Sequence, residues 1–170
     1  EVICRILLKK QKKNKKKMTR NEIIKELKNY FSIEELVCPH ALKFGDKAWQ
    51  FLDTEILHTI LIVRRDILKV GMVCNDYKFK GKNTQRGLRC NVCQLVKDKS
   101  SKGISYLSAH VNGAAFDFVS KDMTAEQMRS KIKANANLLP YNVRIEADVT
   151  WLHIDCYDDG SGRKIVEFKG

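Results

Sequence analysis

In the stretch SAHVNGAAFDF, residues 108–118, His110 stands seven residues before Asp117, and a second histidine, His153, follows in TWLHIDC. Two imidazoles and a carboxylate suit Zn2+. Three protein ligands leave a fourth position for water, which marks a catalytic rather than a structural zinc site. Zinc lowers the pKa of that water toward about 7, and a nearby carboxylate can take its proton. Glu146 in VRIE is the first candidate for that base and Asp148 the second. The same residues also fit a satisfied polar cluster on a sheet face, because the spacing H-x6-D is not specific.

These side chains must be carried by elements that bring them to one side. Strand alternation assigns the faces. In AAFDF, Phe116 and Phe118 face the core and throw Ala115 and Asp117 to the opposite side; in TWLHIDC, Leu152 and Ile154 face the core while Trp151, His153 and Asp155 do not. Val143 and Ile145 face inward, Arg144 and Glu146 outward. A two-residue turn at Asp148 and Val149 would pair Glu146 with Trp151 and keep it on the face of His153, whereas a three-residue loop would reverse that parity.

Apolar spacing predicts a helix over residues 19–30, capped at Thr19 or Asn21, then a short turn capped by Ser32, holding Glu34 and Glu35 and ended by Pro39. Residues 46–70 carry Trp49, Leu52, Ile56, Ile60, Val63, Ile67 and Leu68 at three- and four-residue steps, the pattern of one long helix capped by Asp46 and stopped at Gly71. MVCNDYKF opens the strand region, and residues 80–105 are polar and glycine-dotted, hence a loop. Thr124 and Gln127 form a capping box for a helix running into KIKANANLLP, and the polar DDGSGRK ends the core. Strands bracketing helices predict an α+β fold: a small, mostly antiparallel sheet with helices packed on one face.

The chain of 170 residues fits one domain, and 44% apolar residues suit a globular body. The formal charge of +12 is unevenly placed. Residues 1–20 hold nine basic side chains and one acid, against 23 basic and 19 acidic in the rest. Residues 1–18 are therefore expected to be a basic, disordered arm and residues 19–170 a single zinc-binding domain. No specific nucleic-acid surface is expected on the fold; non-specific attraction to nucleic acid or anionic surfaces is the alternative use of the arm. Val2–Leu8 is short, broken by Arg5 and placed before the lysines, unlike a secretory signal. No run approaches the ~18 apolar residues of a membrane span. Residues 1–17 are expected to lie upstream of a natural start at Met18 or to belong to a preceding segment.

Of six cysteines, only Cys90 and Cys93 form a CxxC, which fits half of a zinc site, a redox pair or two core cysteines. Core packing is the expected role. His40 and His58 are likewise expected to be structural.

SAHVNGAAFDF followed by WLHID resembles the zinc peptidase family that comprises D-Ala-D-Ala carboxypeptidases, L-alanyl-D-glutamate endopeptidases and the Hedgehog fold. The family pattern is S-x-H-x-x-G-x-A-x-D, then an acidic residue before a W-x-H strand. Here Ser108, His110, Gly113, Ala115, Asp117, Trp151 and His153 supply it. FSIEELVCPH, QRGLRCN and LPYNVRIE are similar to phage and prophage members, extending the resemblance over residues 30–157. It implies His110, Asp117 and His153 as zinc ligands, Arg86 or Arg89 holding a substrate carboxylate as guanidinium groups do, and Ser108 orienting substrate or satisfying loop backbone. It also implies that Gly113 and its neighbouring alanines let the backbone pass close beneath the metal. Many members carry an acid three residues before the second histidine, where this chain has Thr150; Glu146 is then the substitute.

The implied activity is hydrolysis of peptidoglycan stem peptides, as a carboxypeptidase or an endolysin-like endopeptidase. The alternative is a catalytically inactive zinc-binding module for peptidoglycan or protein. A monomer is expected, made in the cytoplasm and acting on the cell wall after release or as a phage product.

Overall fold

The computed structural model describes residues 18–101 and 103–170. Residues 1–17, the body of the expected basic arm and of the expected upstream segment, lie outside them.

Helix α1, Arg20–Leu27, starts where the sequence places it. The Thr19 hydroxyl accepts from the Glu22 N–H, and the Glu22 carboxylate accepts from the Thr19 N–H at 2.7 Å. Its buried stripe of Ile23 and Leu27 packs on α4, Thr54–Ile62. Between them lie α2, Ile33–Leu36, with a Ser32–Glu35 capping box, and α3, Pro39–Leu42. Pro39 opens α3 rather than closing what precedes it, since a proline at the first helical position gives up only an N–H that has no partner anyway.

The long helix expected over residues 46–70 is three pieces. A 3-10 helix covers Gly45–Phe51, Leu52 is extended, α4 begins after Asp53, and a π-helical turn spans Val63–Leu68. The Asp53 carboxylate caps α4 by accepting from the N–H groups of Glu55 and Ile56 at 2.8 and 3.2 Å. The interruption admits another segment: the Asp53 N–H donates to the Gly113 carbonyl at 3.0 Å. The helical run ends at Lys69, in the left-handed region at φ 61°, two residues before the expected stop at Gly71.

The strand expected at MVCNDYKF is reduced to one bridge between Val73 and Val119. Within the expected loop at 80–105 lies α5, Gln94–Ser100. Helix α6, Ala125–Ala134, carries the anticipated Thr124–Gln127 capping box.

Strands β1, Ala115–Phe118, β2, Val143–Glu146, β3, Leu152–Asp155, and β4, Ile165–Phe168, form one sheet in the order β1-β3-β2-β4. β1–β3 and β3–β2 are antiparallel, whereas β4 runs parallel to β2 and lies beyond the point where the core was expected to end. Phe116, Phe118, Val143, Ile145, Leu152 and Ile154 join the helical side chains in one core. The fold is α+β, with the alternate residues of the sheet turned to the opposite face.

Candidate functional site

On that opposite face β1 and β3 are in a register that sets Asp117 directly across from His153 and Ala115 across from Asp155. The pairing of Arg144 with Asp155 and of Ile145 with Ile154 sets Glu146 opposite His153. This register is shifted by two residues from the expected pairing of Glu146 with Trp151, so parity, and the shared face of Glu146 and His153, is preserved.

His110 reaches the same point from the loop before β1. Its Nε2 lies 3.4 Å from His153 Nδ1 and 3.4 Å from Asp117 Oδ2, and His153 Nδ1 lies 2.7 Å from Asp117 Oδ1. Donors on a tetrahedral zinc with bonds of about 2.0–2.1 Å stand about 3.3–3.4 Å apart. The three residues therefore converge at zinc-like spacing, with one pair drawn closer by a hydrogen bond, and all three are buried.

The far nitrogen of each imidazole is engaged. His110 Nδ1 lies 3.0 Å from the Gly87 carbonyl, which can only accept, so the proton is on Nδ1 and the lone pair of Nε2 points to the cluster. His153 Nε2 lies 3.0 Å from Asp155 Oδ2 and donates to it, leaving Nδ1 for the cluster. Asp155 is held in turn by Arg144 through two bonds of 3.0 Å. Partners of this kind orient metal-binding histidines and raise their basicity. Asp155 and Arg144 stood on the correct face by alternation, but only this geometry gives them a role.

Asp117 and Asp155 favour positive charge on His153. Burial works against a charged His153, yet hydrogen bonds to Asp117 and Asp155 outweigh it and raise its pKa to about 9. Burial likewise opposes ionised Asp117, but the hydrogen bond from His153 holds it far below the usual carboxylate range. His110, with desolvation dominant, is shifted down and stays a neutral donor.

The cluster floors an open cleft of about 740 Å3, also lined by Arg89, Ser108, Arg144, Glu146 and Trp151. Arg89 donates to Asp117 Oδ2 at 3.2 Å and to the Tyr106 hydroxyl at 3.1 Å. Arg86 does not line this cleft; its carbonyl accepts from the Asp117 N–H at 2.8 Å. Ser108 accepts from the His110 N–H at 3.3 Å and so shapes the ligand's own turn. Asp148 is exposed at φ 60°, paired with Lys169 at 2.7 Å and away from the cleft. Thr150 is exposed and also outside it. Among the described residues, Glu146 is the lining carboxylate that neither joins the cluster nor forms an ion pair. Gly113 donates its N–H to the carbonyl of His110 at 3.3 Å. At φ 66° it abuts the chain break described above, where an added Cβ would stand 2.1 Å from the Phe51 carbonyl oxygen.

A second group of donors was not anticipated. Cys38, His40, Cys90 and Cys93 come together and could hold a metal such as zinc. Cys38 Sγ lies 3.6 Å from Cys90 Sγ, Cys90 Sγ 3.8 Å from Cys93 Sγ, and Cys93 Sγ 3.7 Å from His40 Nδ1. The usable signal was C-x-H in VCPH combined with C-x-x-C in CNVC, each too weak alone.

These features define the class: an α+β domain with two clusters of metal-ligating side chains, one in an open cleft and one between the start of α3 and the turn before α5. Compared with family models, with curated proteins and with solved structures, the chain finds no match. No helix among the described residues is long and apolar enough to cross a membrane.

Proposed function

We propose that this chain is a zinc-dependent peptidase acting on peptidoglycan stem peptides. The observation that carries the proposal is the convergence of His110, Asp117 and His153 on the floor of an open cleft, with one unengaged carboxylate, Glu146, on its wall. The donor set and its outer hydrogen bonds fit zinc. When bound, such an ion polarises a carbonyl and acidifies a water molecule.

The chain's own residues supply the remainder. Glu146 takes the proton of the attacking water and returns it to the leaving amine as the peptide bond breaks. Trp151 lines the cleft beside the cluster and gives it an apolar wall. Arg89 pairs with Asp117 and orients it, and sets positive charge at the cleft, where it attracts the carboxylate of a stem peptide. Ser108 holds the turn of His110 in shape.

A catalytically inactive zinc module is the second reading, favoured by Thr150 at the position three residues before His153, exposed and turned out of the cleft. Incubation with a cell-wall stem peptide separates the two. The peptidase reading expects amine release that stops on chelation, returns with zinc and is lost in Asp117→Ala. Zinc bound by His110, Asp117 and His153 without any cleavage would establish the binding module instead.

A further inference from the structure

We infer that Cys38, His40, Cys90 and Cys93 form a structural zinc centre that staples the segment entering α3 to the loop that orients His110 and Asp117. This inference is independent of the peptidase reading, since it concerns different side chains and needs no substrate.

Three thiolates and an imidazole are the donor set of closed, four-coordinate structural zinc. With Zn–S bonds near 2.3 Å and Zn–N near 2.0–2.1 Å, tetrahedral geometry separates two sulfurs by about 3.8 Å and a sulfur from a nitrogen by about 3.6 Å. The observed separations of 3.6, 3.8 and 3.7 Å match, and none approaches the ~2.05 Å of a disulfide. Local structure presents the donors. Cys38 precedes Pro39 at the start of α3, and the helical turn that follows carries His40. Cys90 and Cys93 close a tight turn in which the Cys93 N–H donates to the Cys90 carbonyl at 3.0 Å and the Cys90 N–H points at Cys93 Sγ at 3.3 Å.

The position of this centre gives it a consequence for the cleft. The Cys38 N–H donates to the Leu88 carbonyl at 3.1 Å, and the Leu88 N–H to the Leu36 carbonyl at 2.9 Å, so the two stapled segments are already laced together. Immediately before Cys90, the run from Arg86 to Arg89 touches the cleft cluster repeatedly. The Arg86 carbonyl takes the Asp117 N–H, the Gly87 carbonyl takes His110 Nδ1, the Arg89 N–H donates to the His110 carbonyl at 3.1 Å, and the Arg89 side chain holds Asp117. Fixing Cys90 and Cys93 against Cys38 and His40 fixes the far end of that run.

The test uses the full chain, prepared under reducing conditions, with zinc counted and then replaced by cobalt. Two metal equivalents are expected. The cobalt form should show thiolate-to-cobalt charge transfer that is lost in Cys93→Ser, with one equivalent, and retained in His110→Ala, which loses the other equivalent. Should Cys93→Ser fail to fold, alkylation of the wild-type chain probes the three thiolates of the same centre. Zinc should slow modification of Cys38, Cys90 and Cys93 at least tenfold relative to the chelated protein. Absence of the charge-transfer band, its survival in Cys93→Ser, or equal alkylation rates with and without zinc would overturn the inference. Failure to cleave any peptide, with the band intact, would count against the peptidase reading alone.

Discussion

The carbonyl of Gly87 lies 3.0 Å from Nδ1 of His110, which fixes the tautomer of one cleft donor from a backbone position three residues before Cys90. Gly87 has no substitute there, because an added Cβ would stand 2.1 Å from the Leu36 carbonyl oxygen. Gly87→Ala should push the run away from Leu36 and release His110. We expect zinc affinity at the cleft to fall roughly 10–100-fold, the usual effect of losing an outer partner. Competition with a chromophoric chelator measures it, and unchanged affinity would dismiss the role of this carbonyl.

Asp155→Asn keeps a hydrogen-bond acceptor for His153 Nε2 but removes the charge shared between His153 and Arg144. Zinc should still bind with the same three cleft donors, about tenfold more weakly. Full loss of the cleft equivalent would mean that Asp155 is itself a ligand.

Glu146→Gln removes the proton acceptor and leaves the cluster intact. Hydrolysis of a stem peptide should drop by roughly 10²–10⁴-fold, the contribution of a general base, while the zinc count stays that of the wild type. A variant that hydrolyses at the wild-type rate would return the search to other acids.

Arg129 is buried and donates to the carbonyls of Val149 and Trp151 at 3.1 and 3.0 Å, holding a β2–β3 connection that contains no glycine. Arg129→Ala leaves those acceptors without their charged donor and should destabilise the fold by about 3 kcal/mol. Denaturant melting reports it; a loss within a few tenths of a kcal/mol of zero would show that water replaces the guanidinium freely.

How far the sequence reaches depends on what each signal is made of. The faces of β1, β2 and β3 were legible because Phe116, Phe118, Val143, Ile145, Leu152 and Ile154 alternate with polar residues, and period two survives an error in turn length as long as that error is even. The break at Leu52 was hidden because the apolar stripe continues through it, although Asp53 carried a capping signal. Helix α5 buries only Val96 and so shows no stripe, and β4 is four residues next to a glycine-containing turn. The cysteine cluster escaped because its halves are 52 residues apart and meet across the Val37–Leu88 bridge, which no local pattern announces.

That same distance bears on how the molecule comes together. Joining Cys38 to Cys90 closes a large loop, and such non-local closure is slow because chain entropy is lost before contacts compensate it. His110, Asp117 and His153 lie within 43 residues, Asp117 and His153 on strands that pair as neighbours and His110 in the loop before them. A zinc ion that joins the two halves of the cysteine cluster compensates that loss, so refolding with limiting zinc should be slower than refolding with zinc in excess. The metal between the cysteines would then act as a latch, and its supply would set the pace at which the whole chain matures.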